Sequence, residues 1–79
     1  MLVVYSQDKC PNCDKVIAYL TERNVEYKVI KIVDDVEDAE SQISRKEFVD
    51  TFVGVRSVPY MLGEDGIAYR SLQEIRQAY

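Results

Sequence analysis

The stretch "DKCPNCDK", residues 8 to 15, holds both cysteines of the 79-residue chain and lies between a predicted strand and a predicted helix. The preceding "LVVY", residues 2 to 5, is a short apolar run rich in β-branched residues, which is typical of a strand buried on both faces. Residues 11 to 24 carry apolar side chains at helical spacing, and Pro11 suits the first position of a helix. Residues 25 to 33 form a second β-branched run. Because strand–helix–strand crossovers are right-handed, the two strands are expected to pair in parallel.

A second helix is predicted after Ser44, because Ser44 and Glu47 have the spacing of a capping box. Gly54 is its natural end. The sequence does not indicate whether the acidic stretch at residues 36 to 43 forms a separate helical turn. We interpret its acidic side chains as a solvated face. The aromatic side chains of this second helix are Phe48 and Phe52, four residues apart.

The last third of the chain predicts a β-hairpin followed by a helix. "VPYML", residues 58 to 62, and "IAY", residues 67 to 69, are short strands joined by the turn sequence "GEDG". Ser71 and Glu74 form a second capping box, which begins the final helix. The element order is therefore βαβ–α–ββα. The predicted fold is α/β: a mixed four-stranded sheet with helices on both faces, which is the thioredoxin-like architecture.

Length and charge limit what the chain can do. Residues 1–79 are long enough for a single small domain, and a monomer is expected. The net charge is −4 with ten Lys and Arg in total, so a nucleic-acid partner is not expected. No apolar run reaches the length of a membrane helix, and the first residues do not have the pattern of a signal peptide. We therefore expect a cytoplasmic protein.

The two cysteines lie at the predicted start of the first helix. Cys10 falls at the N-cap, Pro11 at the first helical position and Cys13 on the same face of the first turn. The free N–H groups of that turn and the nearby cation Lys9 are expected to lower the pKa of the Cys10 thiol. Cys13 is the more inward of the two. We therefore predict that Cys10 attacks disulfides and that Cys13 acts as the resolving thiol.

Other interpretations of the cysteine pair stay open at this point. Zinc needs four ligands, and the chain has no histidine and no third cysteine, so no metal site is predicted. A static structural disulfide does not suit the reducing cytosol. An iron–sulfur cluster bridging two chains is chemically feasible.

Two segments together resemble the glutaredoxin family over nearly the whole chain. "KCPNC", residues 9 to 13, is similar to that family's Lys/Arg-Cys-Pro-x-Cys active site, with Asn12 where an aromatic residue is usual. "GVRSVPYML", residues 54 to 62, resembles its Thr-Val-Pro segment, with Ser57 in place of the threonine. The resemblance implies a supporting role for Pro11 and a cis peptide bond before Pro59.

The resemblance also implies a glutathione-binding surface. It would consist of Lys9, Ser57, Val58, Arg70 and Ser71, with the Val58 backbone pairing with bound glutathione or a substrate chain. Further cations that could reach a glutathione carboxylate are Arg45 and Arg56.

The chain departs from the family pattern before the last helix. The family's Gly-Gly pair and following acidic residue are missing, and Ala68 and Tyr69 stand where close backbone approach is expected. A tyrosine ring there would crowd the tripeptide. Tyr69-Arg70 is closer to the Phe-Arg of ribonucleotide-reductase-coupled redoxins, which take electrons from thioredoxin reductase.

The resemblance as a whole implies a thiol–disulfide oxidoreductase with no tightly bound cofactor. Glutathione would be the reducing co-substrate, and protein disulfides, such as that of ribonucleotide reductase, would be the clients. Two alternatives remain: a redoxin reduced by thioredoxin reductase, and an iron–sulfur-cluster-binding glutaredoxin.

Overall fold

The strands and helices follow the predicted order with one addition. The computed structural model describes residues 1–55 and 57–79, so Arg56, a predicted carboxylate contact, lies outside the described residues. The elements are β1 (Leu2–Ser6), α1 (Pro11–Glu22), β2 (Tyr27–Val33), β3 (Gln42–Ser44), α2 (Arg45–Thr51), β4 (Tyr60–Leu62), β5 (Ala68–Tyr69) and α3 (Leu72–Ala78).

The sheet has five strands in the order β3-β2-β1-β4-β5, so the prediction of four strands was wrong. β1 pairs in parallel with β2, and the β4–β5 hairpin adds antiparallel strands at one side, as predicted. The extra strand, β3, pairs in parallel with β2 through Ile32 and Ile43. Three residues are too few to show a strand pattern, and pairing with β2 defines this one.

The acidic residues before β3 form a turn-rich loop rather than a helix. The side-chain carbonyl of Gln42 accepts hydrogen bonds from the backbone N–H groups of Glu37 and Asp38, at 2.8 and 3.1 Å. The Asp38 carboxylate accepts from the Ser41 hydroxyl and from the Glu40 N–H, and these bonds lower the pKa of Asp38. The loop is thus held by its own polar groups while its charges remain exposed, in agreement with the predicted solvated face.

One side of the sheet, which we call the α1 face, carries an aliphatic core. Six side chains form it, and none is more than 3% exposed: Leu2, Val4, Val16, Leu20, Met61 and Ile75. They come from β1, β4, α1 and α3. Burying such side chains is the main favourable contribution to folding, at about 1.5–3 kcal/mol for each large one.

The opposite side, which we call the α2 face, carries an aromatic core. The rings of Tyr5, Phe48, Phe52 and Tyr60 contact one another with centroid separations of 5.0–6.1 Å. Tilted and edge-on arrangements of this kind are favourable for aromatic rings. Burial raises the pKa of Tyr5, and the neighbouring Tyr60 raises it further. Together the two cores confirm that helices cover both faces.

The predicted helix ends are confirmed by backbone geometry and caps. The Ser44 and Ser71 hydroxyls accept from the N–H groups of Glu47 and Glu74, at 3.1 and 3.2 Å. Gly54 adopts φ +87 after α2, in the region that glycine occupies without steric cost. In the described part of the chain no helix is both long and apolar enough to cross a membrane.

Candidate active site

The two cysteines lie where β1 gives way to α1. Cys10 is the N-cap with an extended backbone, Pro11 is the first helical residue and Cys13 lies in the first turn. The cysteine Cα atoms are 5.3 Å apart, and the two sulfurs are joined as a disulfide. The prediction that the first turn brings the sulfurs together is therefore confirmed.

The two sulfurs have different surroundings. The backbone N–H of Cys13 donates to Cys10 Sγ at 3.1 Å, so a first-turn N–H group is aimed at that sulfur. Cys13 is 1% exposed and Cys10 8%, which leaves Cys10 as the outer residue of the pair. A donor directed at Cys10 stabilises negative charge there more than on the inner sulfur.

Lys9 occupies an unusual position in the turn before Cys10. Its φ is 57, in the left-handed region that side chains other than glycine rarely adopt. Its side chain is exposed, and it has no ion pair within the described part of the chain. Lys9 thus lies in the turn directly before Cys10, with its side chain exposed to solvent.

The segment before β4 contains the predicted cis bond, between Val58 and Pro59. Pro59 is buried and Val58 is half-buried. Among the hydrogen bonds of residues 1–55 and 57–79, none uses the Val58 backbone. Its N–H and C=O are therefore available to an extended chain.

A cleft of about 370 Å³, which we call the α3 cleft, lies between the starts of α1 and α3. Four predicted site residues meet there: Val58, Pro59, Arg70 and Ser71. The lining residues not predicted as contacts are Asn12, Lys15, Leu72 and Gln73. Lys15 could have been found from sequence, because it lies three residues after Asn12 and thus on the same helix surface.

A second cleft of about 190 Å³, which we call the α2 cleft, lies on the other side of Val58. Ser57 borders this cleft and not the α3 cleft. The predicted glutathione contacts are therefore divided by Val58, with Ser57 on one side and Arg70 and Ser71 on the other. Among the described residues, the lining consists of Gln7, Ile32, Arg45, Phe48, Val49, Ser57 and Val58.

Two residues near the start of α3 bear on glutathione binding. The Ser71 hydroxyl donates to a Glu74 carboxylate oxygen at 3.4 Å, so a negative group already lies at this helix end. Tyr69 packs against the α1-face core and against the Tyr79 ring, with a centroid distance of 6.0 Å. It does not line the α3 cleft, so its ring is placed away from the predicted point of crowding.

The described residues contain no group of three or more His, Cys, Asp or Glu side chains placed to hold a metal ion. Among the described residues, the Cys10–Cys13 pair is the reactive centre of this site. A dithiol at a helix start can exchange with the disulfide of a bound chain.

Comparisons with known proteins agree with this geometry. The family model for glutaredoxin matches residues 2–61. The solved structure of the thioredoxin-like protein BC3987 is 25% identical with a TM-score of 0.72, and each chain covers 100% of the other. A glutaredoxin from Archaeoglobus fulgidus is also 25% identical, with a TM-score of 0.69; the match covers 96% of this chain and 79% of that one. No curated protein matches the chain.

The family match covers the cysteine pair, Val58 and Pro59, and Val58 and Pro59 share the α3 cleft with Asn12, which lies between the two cysteines in sequence. The chain therefore belongs to the glutaredoxin family of thiol–disulfide oxidoreductases.

Proposed function

We propose that the protein is a glutathione-dependent oxidoreductase that reduces protein disulfides through Cys10 and Cys13. The observation that carries this proposal is the charge of the α3 cleft. Its described lining residues include two cations, Lys15 and Arg70, and no carboxylate, while the chain as a whole has a net charge of −4. Asn12, between the two cysteines, borders the same cleft. A cationic cleft beside a thiol pair favours a small anionic thiol as the co-substrate.

Glutathione fits this surface by its chemistry. It carries two carboxylates and a thiol, so it needs cations and free backbone groups close to the reactive sulfur. Lys15 and Arg70 would bind the carboxylates, and the Val58 N–H and C=O would pair with the peptide groups of the tripeptide. Lys9 adds a further positive charge next to Cys10.

The proposed reaction moves two electrons from the dithiol to the client. The Cys10 thiolate attacks one sulfur of the client disulfide, which breaks that bond and releases one client thiolate to be protonated by solvent. The Cys13 thiolate then attacks Cys10 Sγ, forms the Cys10–Cys13 disulfide and releases the second client thiol. Two glutathione molecules reduce the pair again and leave as glutathione disulfide.

A direct comparison of electron donors tests the proposal. The oxidised protein is mixed either with millimolar glutathione or with thioredoxin reductase and NADPH, and the appearance of the dithiol is followed by thiol alkylation and mass spectrometry. Reduction by glutathione at millimolar concentration is the expected result. Reduction by the reductase alone would overturn the glutathione assignment.

Charge variants of the α3 cleft sharpen this test. Lys15→Gln and Arg70→Gln should each raise the KM for glutathione about two- to fivefold, because exposed ion pairs contribute modestly. Lys28→Gln is the matched control, since Lys28 is exposed on β2 and does not line the cleft. An equal change in the control would assign the effect to net charge rather than to the cleft.

Electron transfer from thioredoxin reductase is the second candidate, and the Ser71–Glu74 contact favours it. The Glu74 carboxylate lies where a carboxylate of glutathione would approach the start of α3. Glu74→Gln removes this negative charge. If like-charge repulsion limits the binding of glutathione, glutathione should reduce the oxidised variant faster than the wild type. The rate of reduction by thioredoxin reductase should stay the same.

The client and the compartment follow from the same proposal. We propose that the clients are disulfide-containing proteins, with ribonucleotide reductase as the first to assay. We also propose that the protein acts as a monomer in the cytoplasm, where thiols are kept reduced. Turnover of oxidised ribonucleotide reductase with glutathione as the reductant tests the client directly.

A further inference from the structure

An ion pair between Asp8 and Lys31 joins the turn that carries Cys10 to the neighbouring strand β2. We propose that Lys31 is a positioning residue for the reaction of Cys10. It holds the Asp8 carboxylate against β2 and compensates its charge, so that this anion does not oppose the Cys10 thiolate. This inference rests on the proposed role of Cys10 as the attacking sulfur, and it adds a residue that lines neither the α2 cleft nor the α3 cleft.

The first argument is the position of Lys31 in the sheet. Lys31 interrupts an otherwise apolar part of β2, between Ile30 and Ile32. Both isoleucines pack on the α2 face, whereas Val29 packs against the α1-face core. Because side chains alternate between the two faces of a strand, Lys31 lies on the α1 face, the side of the sheet that carries α1. Lysine is unfavourable in such a strand, so a specific partner for its ammonium group explains its presence there.

The second argument is that the backbone of Lys31 is fixed on both sides. Lys31 lies opposite Ser6, the last residue of β1, and opposite Gln42 of β3. Its N–H also donates to the Ser41 carbonyl, at 2.9 Å. From this base in the sheet its ammonium nitrogen reaches Asp8 Oδ1 at 2.5 Å. A paired strand is therefore the anchor, and the residue that it holds lies in the turn.

The third argument is how few contacts hold that turn. Outside strand pairing, residues 7–9 make two polar contacts within the described part of the chain. One is the Asp8–Lys31 pair, and the other is a longer bond to the Gln7 side chain, at 3.5 Å. Lys9, next to Asp8, has a φ of 57, which carries a steric cost for residues other than glycine. The ion pair thus contributes a large part of what holds the turn in place.

The fourth argument is the charge that the pair neutralises. Asp8 and Cys10 are two residues apart, so their Cα atoms are separated by at most about 7 Å. That distance is within the screening length of about 8 Å at physiological salt. An unpaired carboxylate there would disfavour the thiolate, whereas a paired one carries little net charge. Further charged residues of the surrounding segments are Lys9 in the turn, Asp14 and Lys15 on α1, Asp34 after β2, Arg45 on α2 and Arg70 before α3.

The test follows the reactivity of Cys10 as a function of pH. It uses the full-length protein with Cys13→Ser, called the background protein, in which Cys10 is the only thiol. The probe is iodoacetamide, which is uncharged: the Cys10 thiolate attacks its methylene carbon, a carbon–sulfur bond forms and iodide leaves. Intact-mass spectrometry gives the rate of alkylation, which depends on the fraction of thiolate.

Adding Lys31→Gln to the background protein should slow alkylation about two- to fourfold at a pH where the thiol is mostly protonated, because exposed ion pairs contribute modestly. The difference should disappear or reverse at alkaline pH, where the thiol is fully ionised in both proteins. A loss of rate that is the same at every pH would indicate a merely structural effect and would overturn the proposal.

Three further variants separate charge compensation from a structural tie. Lys31→Arg keeps the ion pair and should react like the background protein. Asp8→Asn removes the anion and should react at least as fast. The double variant Asp8→Asn/Lys31→Gln removes both charges and should recover the rate that Lys31→Gln loses. If the pair acted only as a tie, Asp8→Asn would be as slow as Lys31→Gln, and the double variant would not recover.

Lys28→Gln is the matched control, because it removes the same charge from the same strand. Lys28 lies opposite Val3, about 10 Å from Lys31 along β2 and on the opposite face of the sheet. Its pH profile should match that of the background protein, and circular dichroism checks that each variant is folded. Equal losses in Lys28→Gln and Lys31→Gln would assign the effect to net charge and overturn the proposal.

The results separate this inference from the proposed function. The alkylation measurements contain neither glutathione nor a client protein, so a failure of glutathione turnover would leave them unaffected. Failure of the proposed function would appear instead as a lack of client or glutathione turnover in the wild-type protein.

Discussion

The two faces of the sheet differ in the side chains that they bury and in how fully they are covered. The α1 face is aliphatic, its six core residues are at most 3% exposed, and α1 and α3 both pack on it. The α2 face is aromatic, and its described covering helix is the seven-residue α2. Its buried core residues are 3–8% exposed.

Each face supports a different part of the candidate site. The α1 face anchors α1 through Val16 and Leu20, and so holds the first turn that carries the two cysteines. The α2 face ends in the α2 cleft, which Ile32 and Phe48 of its core help to line.

The largest expected effect comes from removing the outer sulfur while both cores stay intact. Cys10→Ser should reduce activity to the uncatalysed rate, because the attacking thiolate is lost. Cys13→Ser should keep activity on glutathionylated peptides and accumulate a mixed disulfide, since the resolving step is blocked. Initial rates and intact-mass spectrometry measure both. An active Cys10→Ser with an inactive Cys13→Ser would invert the assignment.

The next effect tests the aliphatic core. Leu20 is completely buried on the α1 face, so Leu20→Ala should lower the free energy of unfolding by about 2–5 kcal/mol. Urea denaturation followed by circular dichroism measures it. Val53→Ala is the control, because Val53 is 88% exposed and should change stability by less than about 0.5 kcal/mol. A Leu20 effect no larger than this control would contradict the tightly packed α1 face.

A smaller loss is expected for the aromatic core. Phe48 is 3% exposed and contacts the rings of Tyr5, Phe52 and Tyr60. Phe48→Leu keeps most of the buried volume and removes the ring contacts, so it should cost about 1–2 kcal/mol in the same denaturation experiment. If it cost more than Leu20→Ala, the α2 face would be the main source of stability and the comparison would be reversed.

The smallest effect appears at alkaline pH. Because burial raises the folded-state pKa of Tyr5, the native state holds its proton when the unfolded state has lost it. The free energy of unfolding should therefore decline as the pH rises above the ordinary tyrosine pKa and through the raised value. Tyr5→Phe should make this decline shallower and leave the neutral-pH profile flat.

Tyr19→Phe is the control for the alkaline measurement, since Tyr19 is half-buried on α1 and lies outside the α2-face core. Both variants are followed by urea denaturation at increasing pH. An alkaline decline identical in wild type and Tyr5→Phe would show that this hydroxyl does not contribute to it.

Local sequence determined where helices begin and end. The caps at Cys10, Ser44 and Ser71, the left-handed backbone at Asn24 and Gly54, and the placement of both sulfurs on one turn all involve neighbours within a few residues. Such interactions depend on side-chain chemistry and backbone preferences that a short stretch carries with it. The cis bond before Pro59 came from the family resemblance, because proline permits a cis bond without requiring one.

Tertiary structure decided which distant segments meet. β3 becomes a strand because its backbone pairs with β2, and three residues carry no pattern that predicts this. Likewise, Lys15 joins Arg70 in one cleft, whereas Ser57 joins Arg45 in another, although Ser57 and Arg70 were expected to act together. The physical reason is that Val58 lies between the two clefts. Because α2 and α3 pack on opposite faces of the sheet, each side chain can line the α2 cleft or the α3 cleft but not both.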